Sequence, residues 1–363
     1  MENLFFELIQ ISLGYRNSLS QTPSTEDWER LYILADKQKV VGICLYGLQK
    51  LPDEQSINLP QALKLRWIAR TMQIQKNNDI ANQRCLELQN KLNDDGFRGL
   101  ILKGQGVAAL YPAEIKQYRQ SGDIDVWVDG TREQVIEYAV GIKPSYEFDE
   151  KHVHFDCFTD IPVELHWIPI SKWNPKWNRL LKQYFENERE RQFSQSCKGA
   201  CFPTVDFQLT HQLLHVQGHF LSGGIGLRQM MDLYYSQQAC IEQCPEKIPE
   251  ILGLFKQMGL MKFIAATQWV IKEVFCGNTN SVNQLICLPN ERGGIALLNE
   301  IEAGGNFGQY NNSNNQKDKT AIGRFWRKWT RLMKYDFLGS IVMPFARLKL
   351  EFWIRAERQR LKI

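Results

Sequence analysis

The hexapeptide Asp123-Ile124-Asp125-Val126-Trp127-Val128 restricts what this chain can fold into more than any other segment. Its polar and apolar residues alternate, the period of a half-buried strand. Side chains at i and i+2 of a strand share a face, so Asp123 and Asp125 project together while Ile124 and Val126 turn to a core. Upstream, the short apolar run Phe97 to Leu102 precedes a Lys103-Gly104-Gln105-Gly106 turn, with a helix expected from Val107 to Tyr111. Downstream, Asp129-Gly130 ends the strand. Thr131, with Gln134 three residues on, predicts a capping box and a helix to about Val140. Alternation returns over 152–158 and 163–167, two strands joined by a turn at Thr159-Asp160-Ile161-Pro162.

Helical periodicity dominates on both sides of this island. Trp28, Leu31, Tyr32 and Ala35 mark one amphipathic helix with its cap near Ser24 or Thr25. Leu65, Ile68, Met72, Leu88 and Leu92 mark a long one that Asp94-Asp95-Gly96 breaks. Further helices are expected over 173–192, 204–219, 224–239 and 246–274. The expected class is α+β, a small mixed sheet flanked by helical regions. The segments are a helical region over 1–95, the sheet over 96–170, a helical domain over 171–303, a flexible Gly/Asn-rich loop over 304–318 and basic amphipathic helices over 319–363.

At 363 residues the chain is too long for one ordinary core, and 44% hydrophobic with 23% charged residues is an ordinary globular balance. No apolar run reaches the roughly 18 residues of a membrane-spanning helix, and the first residues lack a basic leader, so a cytoplasmic location is expected. Nine scattered cysteines fit that location and argue against a disulfide framework. The pairs Cys197/Cys201 and Cys240/Cys244 read as free thiols rather than zinc ligands. From Arg324 to Ile363 eleven Lys or Arg face three Asp or Glu, a net of +8, which leaves −4 on the rest of a chain whose total is +4. Binding of a polyanion such as nucleic acid, or peripheral contact with an anionic membrane surface, through this basic end is one reading. The other is that Trp326, Trp329, Leu332, Met333, Phe345, Leu348, Phe352 and Trp353 dock on the body and turn the charges to water.

Chemistry concentrates in the sheet segment. Paired carboxylates repel unless a cation lies between them. Hard oxygen ligands suit Mg²⁺ or Mn²⁺. Glu164 and His166 share one face of the later strand, and if that strand neighbours the first, Asp123, Asp125 and Glu164 converge on one or two ions and a triphosphate. His166 is a candidate for proton transfer, phosphate contact or orientation of Glu164. Glycines at 104 and 106 allow close approach of phosphate, with Lys103 as a point charge and Arg119 within reach. Arg228 either pairs with Asp232 on a helix surface or faces the cleft. His211, His215 and His219 form one helical stripe, more in keeping with core histidines than with a tetrahedral metal site.

The runs LILKGQGVAALYP, YRQSGDIDVWV and VELHW resemble the uncharacterised nucleotidyltransferase family of the DNA-polymerase-β-like superfamily. His215, His219, GIGLRQMMDL and GGNFGQY resemble its helical half. The resemblance implies metal-binding carboxylates at Asp123, Asp125 and Glu164, nucleotide contacts in the Lys103-Gly104-Gln105 turn, and an NTP donor. The Gly-Ser phosphate turn of the wider superfamily is absent, with Lys103-Gly104 in its place. The acceptor, a small molecule or a protein, stays undefined, and no continuous basic groove favours long nucleic acid. A kinase-like γ-phosphotransferase and a non-catalytic nucleotide-binding module stay open as alternatives.

Overall fold

A computed structural model describes residues 2–143, 148–195, 199–277, 281–310 and 321–361. In chain order its helices are α1 (Glu2–Ser12), α2 (Thr25–Lys37), α3 (Val41–Leu48), α4 (Gln61–Asp94), the single turn α5 (Gln105–Ala108), α6 (Arg132–Ile142), α7 (Pro175–Phe193), α8 (Val205–Ser222), α9 (Leu227–Gln243), α10 (Ile248–Met258), α11 (Met261–Ile271), α12 (Glu291–Gly304), α13 (Ala321–Tyr335) and α14 (Phe337–Leu361). The strands are β1 (Gly99–Ile101), β2 (Ile124–Val128), β3 (His152–His154) and β4 (Val163–His166). The class is α+β, mostly helical with one small mixed sheet, as the sequence predicts.

The chain divides into two units. The first takes Met1–Asp79, Ala108–Ser121 and Gly223–Ser313. Its helices begin where the sequence supplies caps. Ser24 accepts from the backbone of Asp27, whose side chain returns the bond, a full capping box at the head of α2. Trp28 and Trp67 are fully buried edge to face, and Trp67 Nε1 donates to the Val41 carbonyl at 2.9 Å. The single helix expected over 246–274 is two, α10 and α11. Gly259 at φ +75° caps the first in the left-handed region, which glycine enters without a side-chain clash.

The second unit takes Ile80–Val107, Gly122–Ser222 and Asn314–Ile363. Its sheet runs β1-β2-β4-β3, with β2 parallel to β4 and both outer pairs antiparallel. A parallel pair needs a crossover, and α6 lies in it, opened by the Thr131–Gln134 capping box. One face of the sheet is dry. Ile101, Ile124, Val126, Val128, Val153, Val163 and Leu165 pack on α6 and the end of α4. β3 and β4 are shorter than the alternation suggested, because the period of two persists into the turn that joins them.

Three expectations need correction here. The helix after the Lys103-Gly104 turn is the single turn α5, not Val107 to Tyr111. The apolar residues of the basic end do not all dock: Leu332 is buried and Trp353 packs against the sheet core. Trp326, Met333, Phe345, Leu348 and Phe352 are exposed, joined by Phe337, Leu338 and Ile341. Cys201 is disulfide-bonded. The Cys240 and Cys244 sulfurs lie 3.6 Å apart. Cys197 and positions 311–318 of the expected loop lie outside the described residues.

Candidate active site

The register of the sheet builds the site. Asp125 on β2 stands opposite Glu164 on parallel β4, and Trp127 stands opposite His166. On the other edge of β4, His152 faces His166 and His154 faces Glu164. A period of two therefore puts Asp125, Glu164, His166, His152 and His154 on one face. The face is dry at its Trp127 end, where the indole stacks on Phe207 and meets Phe193 edge to face, both from helices covering the sheet.

Ligand atoms of Asp125, Glu164 and His166 lie within 4.8 Å of one another, and so do those of His152, His154 and Glu164. His166 Nε2 is 3.0 Å from Asp125 Oδ1 and 3.2 Å from Glu164 Oε2, so a single N–H is shared between two carboxylates. His152 Nδ1 sits 3.4 Å from Glu164 Oε2. Asp123, one residue before β2, is 41% exposed at its side chain, whereas Asp125 is wholly buried. Lys103 joins them, its Nζ 2.9 Å from Asp125 Oδ2 and 3.5 Å from Asp123 Oδ2.

These contacts fix the charge states. Burial opposes ionisation of Asp125, but Lys103 and His166 outweigh it and hold the carboxyl well below its usual range. Burial likewise works against the Lys103 ammonium, and Asp125, Asp123 and Glu164 reverse the balance. Glu164 is also held low, its burial offset first by the His166 hydrogen bond. Burial, with His166 and Lys151 nearby, drives His152 down to about 2, so it is a neutral nitrogen donor. His211 on α8, lowered to about 3 by burial and Lys103, is neutral as well.

The Lys103 turn owes its shape to two glycines. Gly104 has φ +64°, and a Cβ on Gly106 would lie 2.3 Å from the Ile101 carbonyl oxygen. Leu102 N donates to Asp125 O at 2.9 Å, tying the turn to β2. Gly104→Ala should cost about 1–2 kcal/mol from the left-handed backbone alone. Gly106→Ala should cost about 1–3 kcal/mol, because backbone rather than a flexible side chain must move. Urea midpoints of the two variants check both figures.

The arginines singled out in the sequence are held inside the first unit. Arg119 is buried, with Nε 2.7 Å from Asp232 Oδ1 and Nη2 2.8 Å from Oδ2, and Tyr111 donates its hydroxyl to the same carboxylate at 2.7 Å. Asp232 thus pairs with Arg119 rather than with Arg228, whose Nη1 donates to the Gln120 carbonyl at 3.2 Å. In the second unit the Gln105 amide donates to Asn82 Oδ1.

A family model described as an uncharacterised nucleotidyltransferase matches residues 24–275. The chain belongs to that family. Membership supports a general nucleotidyltransferase role and nucleotide binding. The span shared with the family includes every candidate residue from Lys103 to Arg228. No curated protein matches the chain, and no solved structure does. Among the described residues no helix is long and apolar enough to cross a membrane. The sequence analysis does not single out His152 and His154 as site residues, although His-Val-His carries the same i, i+2 signal as Asp-Ile-Asp. The stripe on α8 separates into a buried His211 and a His215–His219 pair whose Nε2 atoms are 2.9 Å apart.

Proposed function

We propose that this family member is a metal-dependent nucleotidyltransferase of the polymerase-β-like type. It would move a nucleoside monophosphate from an NTP to a hydroxyl or phosphate acceptor on a small molecule or a protein. The observation that carries the reading is the parallel register of β2 and β4, which sets Asp125 beside Glu164 with His166 spanning both. The residues fit a divalent cation. Their oxygens are hard donors of the kind Mg²⁺ or Mn²⁺ takes, and a cation, the Lys103 ammonium, already stands between Asp123 and Asp125.

Asp123, Asp125 and Glu164 would hold the ion or ions. When bound, such ions offset charge on the triphosphate and the departing pyrophosphate and lower the pKa of an attacking hydroxyl. The chain's own groups do the rest. Asp125 is ionised, buried and fixed by two partners, so it needs no reorganisation on binding. His166 orients both carboxylates through one N–H. Lys103, on a glycine turn that admits close approach, is the cation that can follow a phosphate oxygen. Gly104 and Gln105 complete that turn. In this reading Arg119 and Arg228 serve the first unit.

The test uses Mg²⁺ and NTP labelled separately at the α and γ phosphates, with a crude extract as acceptor. Transfer of the α label is expected. Transfer of the γ label alone would replace this reading with a kinase-like one, and tight nucleotide binding without transfer would leave a binding module.

A specific observation also favours surface attachment. The exposed residues Phe337, Ile341, Phe345, Leu348 and Phe352 fall on one stripe of α14, edged by exposed Lys349 and Arg355. That pattern suits a helix lying on an anionic bilayer. Sedimentation with phosphatidylserine vesicles, compared with phosphatidylcholine, tests it.

A further inference from the structure

A cavity of about 550 Å³ lies within the second unit. Asp149 and Lys151 line its wall, and His152 follows directly in sequence. Asp149 Oδ1 accepts from the His152 backbone N–H at 3.0 Å, and His152 Nδ1 stands 3.4 Å from Glu164 Oε2. The cavity and the candidate active site thus share one stretch of chain.

Four cations line this cavity: Lys151, Lys172, Lys328 and Arg347. Among the described residues none of them makes a direct ion pair, although Glu150 attracts Lys328 and Asp336 attracts Lys172 at longer range. Lys172 is more than nine-tenths buried, and its ammonium donates only to neutral oxygens, the Leu214 carbonyl at 2.8 Å and Gln217 Oε1 at 2.6 Å. Lys328 lies over the Trp173 ring at 5.4 Å, and Arg347 lies over the Phe325 ring at 6.0 Å. The three acids on the wall are hydrogen-bonded to neutral donors, so their charges offset the cations in part. Asp149 accepts from the Lys151 and His152 backbone, Glu150 from Ser171, and Asp336 from Asn174 and the Gly339 N–H at the head of α14. His215 and His219 complete the titratable lining, and burial keeps His215 neutral. Burial and the neighbouring cations push Lys172 down to about 7, and burial and Arg347 lower Lys328. Four cations face three acids around this space, and burial raises the pKa of the Glu150 carboxyl and so weakens one of them, which leaves the lining net positive and favours an anion there.

We infer that this cavity is a binding site for a phosphate group, carried by the acceptor, with the Trp173 and Phe325 rings forming its apolar wall. A phosphate dianion answers several cations better than a single carboxylate, and lysine and arginine donors suit its oxygens. Calling the ligand the acceptor rests on the nucleotidyl-transfer reading. The phosphate site itself does not.

Inorganic phosphate titrated into the metal-free full-length protein, followed by calorimetry, is the direct test. Binding is expected, weakened at least about tenfold by Lys328→Ala and by Arg347→Ala, one charge-assisted contact each. Both residues are at least partly solvent-accessible, so the variants should melt as the parent does. Asp123→Asn, which the nucleotidyl-transfer reading expects to be inactive, should bind phosphate unchanged, so the two ideas fail separately. Phosphate should also raise the titration midpoint of Lys172, followed by NMR of its labelled amine, which a purely structural lysine would not show. No uptake at tens of millimolar phosphate, or uptake indifferent to both substitutions, overturns the site. Succinate binding as tightly as phosphate would overturn the phosphate assignment in favour of a carboxylate.

Discussion

Asp125→Asn should reduce transfer of α-labelled nucleotide by at least about a thousandfold, the scale of losing a fixed charge aimed at the reacting phosphates. It should also weaken the fold. The side chain is fully buried, ion-paired to Lys103 and hydrogen-bonded to His166, and breaking such a pair costs about 3–5 kcal/mol. Asp123→Asn should lose activity on a similar scale with little change in melting temperature, because its carboxylate is 41% exposed. The contrast between the two thermal shifts is as informative as the activities. The sign of the pH dependence follows from the depressed Asp125 carboxyl. Its stabilisation is complete above the ordinary carboxylate range and is lost only as pH falls through its lowered value. The Asn variant should show a shallower acid limb in its unfolding midpoint. Full transfer activity in either variant would remove the carboxylates from the mechanism.

The second large effect is one of stability. Asp232→Ala should destabilise the first unit by about 3–5 kcal/mol, since it strands a buried guanidinium and the Tyr111 hydroxyl together. Arg119→Ala should cost a similar amount. Replacing both residues at once should cost clearly less than the two single losses added, because neither charge is then left alone. Guanidinium denaturation of the three variants measures this directly. Additive losses would show that the bidentate pair contributes nothing as a pair.

Much of the sheet could be read from the chain because its signals are local. Asp-Ile-Asp-Val-Trp-Val, Val-Glu-Leu-His and the Thr131 cap each declare a strand or a helix start within a few residues. Sequence could state only conditionally that β2 lies beside β4, since the strands are separated by a crossover helix and their pairing is a tertiary fact. The same limit hid the roles of Lys103 and Arg119. A lysine after a strand looks like a phosphate contact, and only the fold reveals that it spans two aspartates. Arg119 sits four residues before Asp123, yet its partner is 113 residues away. The outward stripe on α14 escaped for a different reason. Helical periodicity identifies a face, but α14 has two apolar faces, and only packing decides which one the body covers.

The lysine between Asp123 and Asp125 has a consequence for the protein at rest. Clusters of acidic groups usually destabilise a fold until a multivalent ion arrives, and many such proteins unfold when a chelator strips it. Here a tethered ammonium neutralises the pair from within the chain. If the proposed metal site is real, folding needs no ion there, because Lys103 already balances the pair. On the proposed reading an incoming ion would have to displace or accommodate that resident charge, which would set a threshold concentration for occupancy.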